Sequence, residues 1–309
     1  MTYTYYPGCS LHAGGVAYEK SLRAVFGKLG IELVELDDWN CCGATAYMSV
    51  RKTVAYAISA RNLSLAAALG RDMVAPCSAC YMVLNKTRAY LAELPRLRED
   101  VSAALAEAGL ECRPDVNVRH PLDVLARDVG IERIQAAQTH VLSEFRPACY
   151  YGCQIVRPYS ALPDDDPENP MAMERLMESL GASPVDYPPK VKCCGGSLVI
   201  TYEPVAKTLC KELVDWAVER GANCIVTVCP LCQTNLDVLT PRSRVTNGSP
   251  PIPILYFTQL VGLALGCSPG EVGIQHGLTA TTMRARPQTT VRRSSKLNES
   301  PRTAGVTEV

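Results

Sequence analysis

Short apolar runs alternate with longer stretches of helical periodicity along most of the 309-residue chain. This alternation predicts an α/β fold built from βα units with parallel strands. In the first half, strands are expected near Tyr3–Tyr6, Ile31–Leu36 and Met73–Ala75, with helices near Val16–Leu29 and Ala46–Leu69. In the second, strands are expected near Ala148–Tyr151, Pro184–Tyr187 and Cys224–Val228, with helices near Met171–Leu180 and Leu198–Arg220. Between them, Tyr81 to about Glu144 reads as mostly helical with a strand at Val116–Val118, and completes the first domain. From Thr279 onward the chain turns polar and arginine-rich without a periodic apolar face. That composition predicts a disordered tail, with docking of a partner by its basic residues as the alternative. The expected layout is a first domain over 1–145, a second over 146–278 and a tail over 279–309.

Composition narrows the function classes. With 47% apolar residues the chain can bury a sizeable core, and 31 basic residues against 31 acidic ones remove any overall bias toward nucleic acid or anionic lipid. The most apolar run, Ile252–Leu265, contains Pro253, Gln259 and Gly262. It falls short of the roughly 20 residues a spanning helix requires, so no membrane span is expected. The N-terminal residues Met1–Tyr6 show no basic region followed by an apolar stretch, and the expected location is cytoplasmic.

Fifteen cysteines change the picture. In a reducing compartment, and with a core too large to need stapling, that usage points to metal or cluster ligation rather than disulfides. Ten of them form a repeat. The first half reads Tyr6-Pro7-Gly8-Cys9, then Cys41-Cys42-Gly43, then Cys77-Ser78-Ala79-Cys80; the second reads Tyr150-Tyr151-Gly152-Cys153, Cys193-Cys194-Gly195 and Cys229-Pro230-Leu231-Cys232. In both halves 33 residues separate the Cys-Cys-Gly from the Cys-x-x-Cys. Each cysteine element is expected just past the C-terminal end of a strand, where open α/β sheets gather their ligand sites. Glycine beside the ligands lets the backbone turn sharply and approach an inorganic core.

A zinc site closes with four ligands, whereas each repeat offers five. Adjacent residues in extended backbone point to opposite sides, so a Cys-Cys pair more simply serves two metal atoms, as in an iron-sulfur cluster. A four-thiolate zinc site per half and thiol-disulfide chemistry at Cys77/Cys80 or Cys229/Cys232 are the alternatives. Cys112, Cys149, Cys210, Cys224 and Cys267 lie outside the repeat and read as small buried hydrophobes. Cys149 is the one held in reserve, since it is close to Cys153. The four histidines, His12, His120, His140 and His276, show no ligand spacing. His12, three residues after Cys9, is a weak candidate proton donor.

The doubled pattern resembles the twin Cys-Cys-Gly domain proteins, and within them the B subunits of heterodisulfide reductases, over roughly residues 1 to 265. Gly152-Cys153 to Arg157-Pro158 and Asp165-Asp166-Pro167-Glu168-Asn169-Pro170 are similar to those proteins too. The resemblance implies two pseudo-symmetric domains, each binding a non-cubane 4Fe-4S cluster: one on Cys9, Cys41, Cys42, Cys77 and Cys80, the other on Cys153, Cys193, Cys194, Cys229 and Cys232. It implies a disulfide, or a sulfur carrier, split or formed between the clusters. Relatives that oxidise lactate, glycolate or glycerol-3-phosphate add a ferredoxin-type segment, but this chain has no Cys-x-x-Cys-x-x-Cys. Electrons are then expected from a ferredoxin-type protein, like the C subunit of those reductases, fed by a flavin protein like their A subunit. The competing expectation is an electron relay, such as a peripheral quinone-reductase anchor, that binds no substrate.

Overall fold

A computed structural model describes residues 1–44, 46–240, 251–279 and 285–287. The first half opens with strand β1 (Thr2–Tyr5), the single turn α1 (Gly8–Leu11), helix α2 (Val16–Lys28) and strand β2 (Glu32–Glu35). Helices α3 (Ala46–Val50) and α4 (Lys52–Ala67), strand β3 (Met73–Val74), helices α5 (Ser78–Glu93) and α6 (Pro95–Ala106) and strand β4 (Val118–Arg119) follow. The chain then crosses α7 (Pro121–Asp123), a π-helical turn (Val124–Val129), α8 (Ile131–Ala136) and β5 (His140–Val141). The second half holds β6 (Pro147–Tyr150), α9 (Ala172–Ser179), a 3-10 turn (Pro188–Val191), α10 (Glu203–Glu219), β7 (Cys224–Thr227), α11 (Pro230–Leu239), β8 (Ile254–Tyr256) and α12 (Phe257–Ala264).

Two all-parallel sheets result, ordered β2-β1-β3-β4 and β6-β7-β8. In the first, Tyr5 pairs with Val74 and Glu35; in the second, Tyr150 pairs with Thr227 and Thr227 with Tyr256. Neighbouring strands therefore end level with one another. All the cysteine elements except Cys193-Cys194 follow a strand on the C-terminal side of its sheet, as the alternation of apolar runs and helices predicts.

Three expectations need correction. Pro184–Tyr187 is not a strand. Ser183 N and Val185 N donate to Phe145 O and Pro147 O, so the segment lies along β6, but Pro184, Pro188 and Pro189 carry no N–H to extend a ladder. The expected helix over Leu198–Arg220 begins at Glu203 instead, with Pro204 in its first turn and turns over Leu198–Thr201. The helix over Ala46–Leu69 breaks at Arg51, whose backbone is extended. Of the polar stretch from Thr279, Arg286 and Pro287 form β9, antiparallel to β5; residues 280–284 and 288–309 lie outside the described residues.

The halves share one apolar core. Helix α2 of the first packs on α12 of the second, where Ser21 Oγ and Thr258 Oγ1 are 2.6 Å apart and Tyr18 stacks on Tyr256 at 4.5 Å between ring centroids.

Candidate metal centres

Ten cysteines gather in two constellations that repeat each other in detail. In the first, Cys42 Sγ and Cys80 Sγ are 3.1 Å apart; in the second, Cys194 Sγ and Cys232 Sγ are 3.5 Å apart. Gly43 N donates to Cys41 Sγ at 3.5 Å and Gly195 N to Cys193 Sγ at 3.3 Å. The first member of each Cys-Cys pair is exposed and the second buried, the opposed placement expected of adjacent residues. Tyr6 and Tyr150, both buried, donate through their hydroxyls to Asn40 O and Lys192 O at 2.7 and 2.8 Å. Each tyrosine thus pins the residue ahead of its Cys-Cys pair.

Glycine is required where the first cysteine of each set is delivered. Gly8 and Gly152 have φ of +66° and +72°, and a Cβ on either would sit 3.1 Å from Cys80 Sγ or Cys232 Sγ. A side chain there would be strained in the backbone and would press on a cysteine of the set.

Packed thiols set one another's proton affinities. Hydrogen bonds from Cys41 and Cys80 hold Cys42 well below the usual thiol range, and Cys41 and Cys80 are raised in turn. Cys193 is pulled down to about 6 by Cys153, which is raised. Cys229 is lowered by Cys232 and Cys77, and both donors are raised. Cys77 and Cys229, one from each half, shift one another's proton affinities, so the two constellations are neighbours.

A cavity of about 110 Å³ opens among Cys153, Cys193, Cys194, Cys229 and Cys232 and is closed on the first-half side by Ser78. Ser78 Oγ has no hydrogen-bond partner among the described residues. Five sulfur donors around each site, glycine in place of side chains beside them, and a buried serine with an unpartnered hydroxyl at the cavity's edge together fit a multinuclear sulfur-bridged group. One zinc ion would use only four of the five donors.

Residues outside the sets divide. Cys149, Cys210 and Cys224 are buried, with thiols pushed up by burial, and Cys267 is buried as well. Cys149 lies within β6 opposite Val226, whereas Cys210 Sγ donates to Cys194 O at 3.4 Å. Cys112 is half-buried beside a small second cluster of α4, α5 and α6. His12 caps α1 with its ring edge-on to Trp39 and Nε2 3.8 Å from Glu35 Oε1.

Sequence reasoning passed over His120, which is fully buried between the halves. Leu122 N donates to its Nδ1 at 3.2 Å, so Nε2 carries the proton and faces Pro76 O at 2.9 Å and Val228 O at 3.3 Å. Those carbonyls immediately precede Cys77 and Cys229. Nothing in the spacing of the histidines signals this, because the partners are backbone atoms brought together only by the fold.

The chain belongs to the cysteine-rich CCG domain family, whose profile matches residues 3–85 and 148–237 and so takes in both constellations. It is 32% identical over 282 residues to the 8-methylmenaquinol:fumarate reductase membrane anchor subunit of Wolinella succinogenes, covering 91% of this chain and 98% of that protein. It is 30% identical over 276 residues to the B subunit of the ferredoxin/F(420)H(2)-dependent CoB-CoM heterodisulfide reductase of Methanosarcina acetivorans, covering 87% and 90%. A protein of Archaeoglobus profundus, itself named as like the heterodisulfide reductase B subunit, is 32% identical over 278 residues, covering 88% and 93%. The fold is shared with a hypothetical protein of Helicobacter pylori of known structure, at a TM-score of 0.71 and 15% identity; the match covers 91% of this chain and 52% of that one.

Proposed function

We propose that each five-cysteine set holds a non-cubane 4Fe-4S cluster and that the chain carries out the sulfur chemistry of a multi-subunit reductase complex. In the reductive direction a disulfide takes two electrons and two protons and yields two thiols. The reverse reaction returns two electrons to a partner. The junction at His120 carries this reading: its Nε2 lies 2.9 Å from Pro76 O and 3.3 Å from Val228 O, the carbonyls ahead of Cys77 and Cys229, and two one-electron centres held side by side would suit a bond that must accept two electrons. Bound clusters would supply the one-electron steps and iron that accepts thiolate sulfur.

The protein's own residues hold and limit the site. Cys9, Cys41, Cys42, Cys77 and Cys80 hold the first cluster; Cys153, Cys193, Cys194, Cys229 and Cys232 hold the second. Exposed Cys9, Cys41 and Cys193 mark where a thiol or disulfide reaches the clusters from solvent. Tyr6 and Tyr150 and the glycines beside them fix the loops, and His120 fixes the junction. His12, half-exposed beside Glu35, would in this reading exchange protons with solvent near Cys9. The relatives named as reductase subunits support a role alongside partner subunits, and the electron source in this reading is a ferredoxin-type protein fed by a flavin protein.

One observation favours a second reading, an electron relay without substrate. A relative matched over 98% of its length is named a membrane anchor of a fumarate reductase. Among the described residues no helix is long and apolar enough to cross a membrane. Exposed Tyr47 and Val50 past the first Cys-Cys-Gly, and Ile200 and Tyr202 past the second, would then meet the partner surface.

Iron, zinc and acid-labile sulfide per chain, with electron paramagnetic resonance of the oxidised protein with and without added thiols, test both readings. Iron and sulfide for two clusters with a new signal on adding thiol is the expected result. Stoichiometric zinc without sulfide would overturn the cluster reading, and clusters unresponsive to every thiol would establish the relay.

A further inference from the structure

The halves repeat in their cysteines but not in the donors around them. Ser78 follows Cys77, and Pro230 occupies the matching place after Cys229. Ser78 opens α5, is 1% exposed, has an unpartnered Oγ, and lines the cavity bounded by the second cysteine set. Ser78, from the first half, thus borders the cavity of the second cysteine set. Pro230 reaches the other way, its Cβ 3.3 Å from where a side chain on Gly15 would begin, and offers no donor.

The same inequality recurs three residues past each Cys-x-x-Cys, where the halves carry Val83 and Asn235. Val83 is buried and has no polar side-chain atom. Asn235 Nδ2 donates to Cys194 O at 3.1 Å and stands 3.8 Å from Cys194 Sγ. Sixteen residues past the second cysteine of each Cys-Cys pair, Ile58 matches Cys210, whose thiol donates to Cys194 O at 3.4 Å. The backbone donors from Gly43 and Gly195 are matched and do not distinguish the sites.

We infer that Ser78 Oγ and Asn235 Nδ2 hydrogen-bond sulfur at the second site, and that this site therefore has the higher reduction potential and retains an electron that enters the chain. An added electron makes cluster and thiolate sulfur more negative, so a fixed donor stabilises the reduced form more than the oxidised one. The inference rests on the cluster reading. A cluster sulfur and a substrate thiolate would both accept the Ser78 proton, and the measurement separates them.

The test is an anaerobic potentiometric titration followed by electron paramagnetic resonance on the full chain, without substrate, with iron and sulfide counted first in every sample. Two reduction steps are expected. Ser78→Ala should lower the upper step by the equivalent of roughly tenfold in the reduction equilibrium, the worth of one hydrogen bond to a charged acceptor. The lower step should stay in place, and Ser78→Thr, which keeps the hydroxyl, should restore the upper one. Pro230→Ser, at the matching helix start, should raise the lower step and narrow the gap. An unmoved upper step at full iron and sulfide overturns the inference and leaves the cluster reading intact. So does a Ser78→Ala effect that appears only with thiol present, which would assign the hydroxyl to substrate. Absence of iron or sulfide from the unmodified protein overturns the cluster reading itself, and the inference with it.

Discussion

His120 Nε2 donates to the carbonyl of Val228, 108 residues further along the chain, at 3.3 Å. The same N–H faces Pro76 O at 2.9 Å, so one imidazole ties the backbone ahead of Cys77 to the backbone ahead of Cys229. It also accepts from Leu122 N, and only when neutral, since protonation at Nδ1 would set two N–H groups, Leu122 N and the ring, against each other. Burial lowers the His120 pKa to about 4 from 6.5.

The sign of the pH dependence follows. Below about pH 6.5 the unfolded chain binds a proton at this residue that the native chain refuses until about pH 4. Stability present above pH 6.5 is therefore lost as pH falls through that window, by roughly 3 kcal/mol in total. His120→Gln, which does not titrate, should flatten this part of the profile relative to the parent protein in denaturant unfolding measured from pH 4 to 7.

Gly152→Ala and Gly8→Ala should each cost about 1–2 kcal/mol of stability from the positive φ alone. Each should also reduce the iron bound by its own half, because the new methyl meets Cys232 Sγ or Cys80 Sγ. Iron per chain beside thermal unfolding checks this. Gly70→Ala, also at positive φ but with open space around it, should lose stability without losing iron.

Lys190 Nζ and Glu174 Oε1 form a buried ion pair at 2.6 Å, with Tyr151 OH donating to the other carboxylate oxygen at 2.5 Å. The Lys190 carbonyl also accepts from Tyr151 N and Gly152 N, so this pair stands under the loop that delivers Cys153. Lys190→Met should destabilise by about 3–5 kcal/mol, since it leaves a buried carboxylate uncompensated. Adding Glu174→Gln should recover part of that loss. Denaturant unfolding of the two variants measures both effects.

Alkylation of metal-free protein under native conditions should modify Cys9, Cys41 and Cys193 first and leave Cys149, Cys210 and Cys224 unmodified until unfolding. Peptide mass spectrometry at successive times reads the order. Early labelling of Cys149 would contradict its placement inside β6.

Much of this architecture is legible in the chain because two signals reinforce each other. Apolar runs such as Met73–Ala75 and Cys224–Val228 locate strands, and a cysteine element follows at a fixed distance. The signal fails where one residue type serves two ends. Pro184–Tyr187 has a strand-like pattern but lacks the donors, and Ile252–Leu265 reads as a single apolar run although Tyr256 and Gln259 cap a helix inside it. Asn235, His120 and Ser78 stay hidden for another reason: the first two bond to atoms far along the chain and the third borders a cavity lined by the other half, so no local spacing announces them.

A homodimer of one such half would carry every substitution twice, since its twofold axis copies each change onto both protomers. Covalent fusion of the two copies removes that constraint. Ser78 can stand on one side of the junction and Pro230 on the other, and Asn235 can face a site whose twin has only Val83. The doubled chain thus keeps the geometry of a symmetric pair while allowing its two halves to differ, which, with a cluster in each, would give electron flow across the junction a direction.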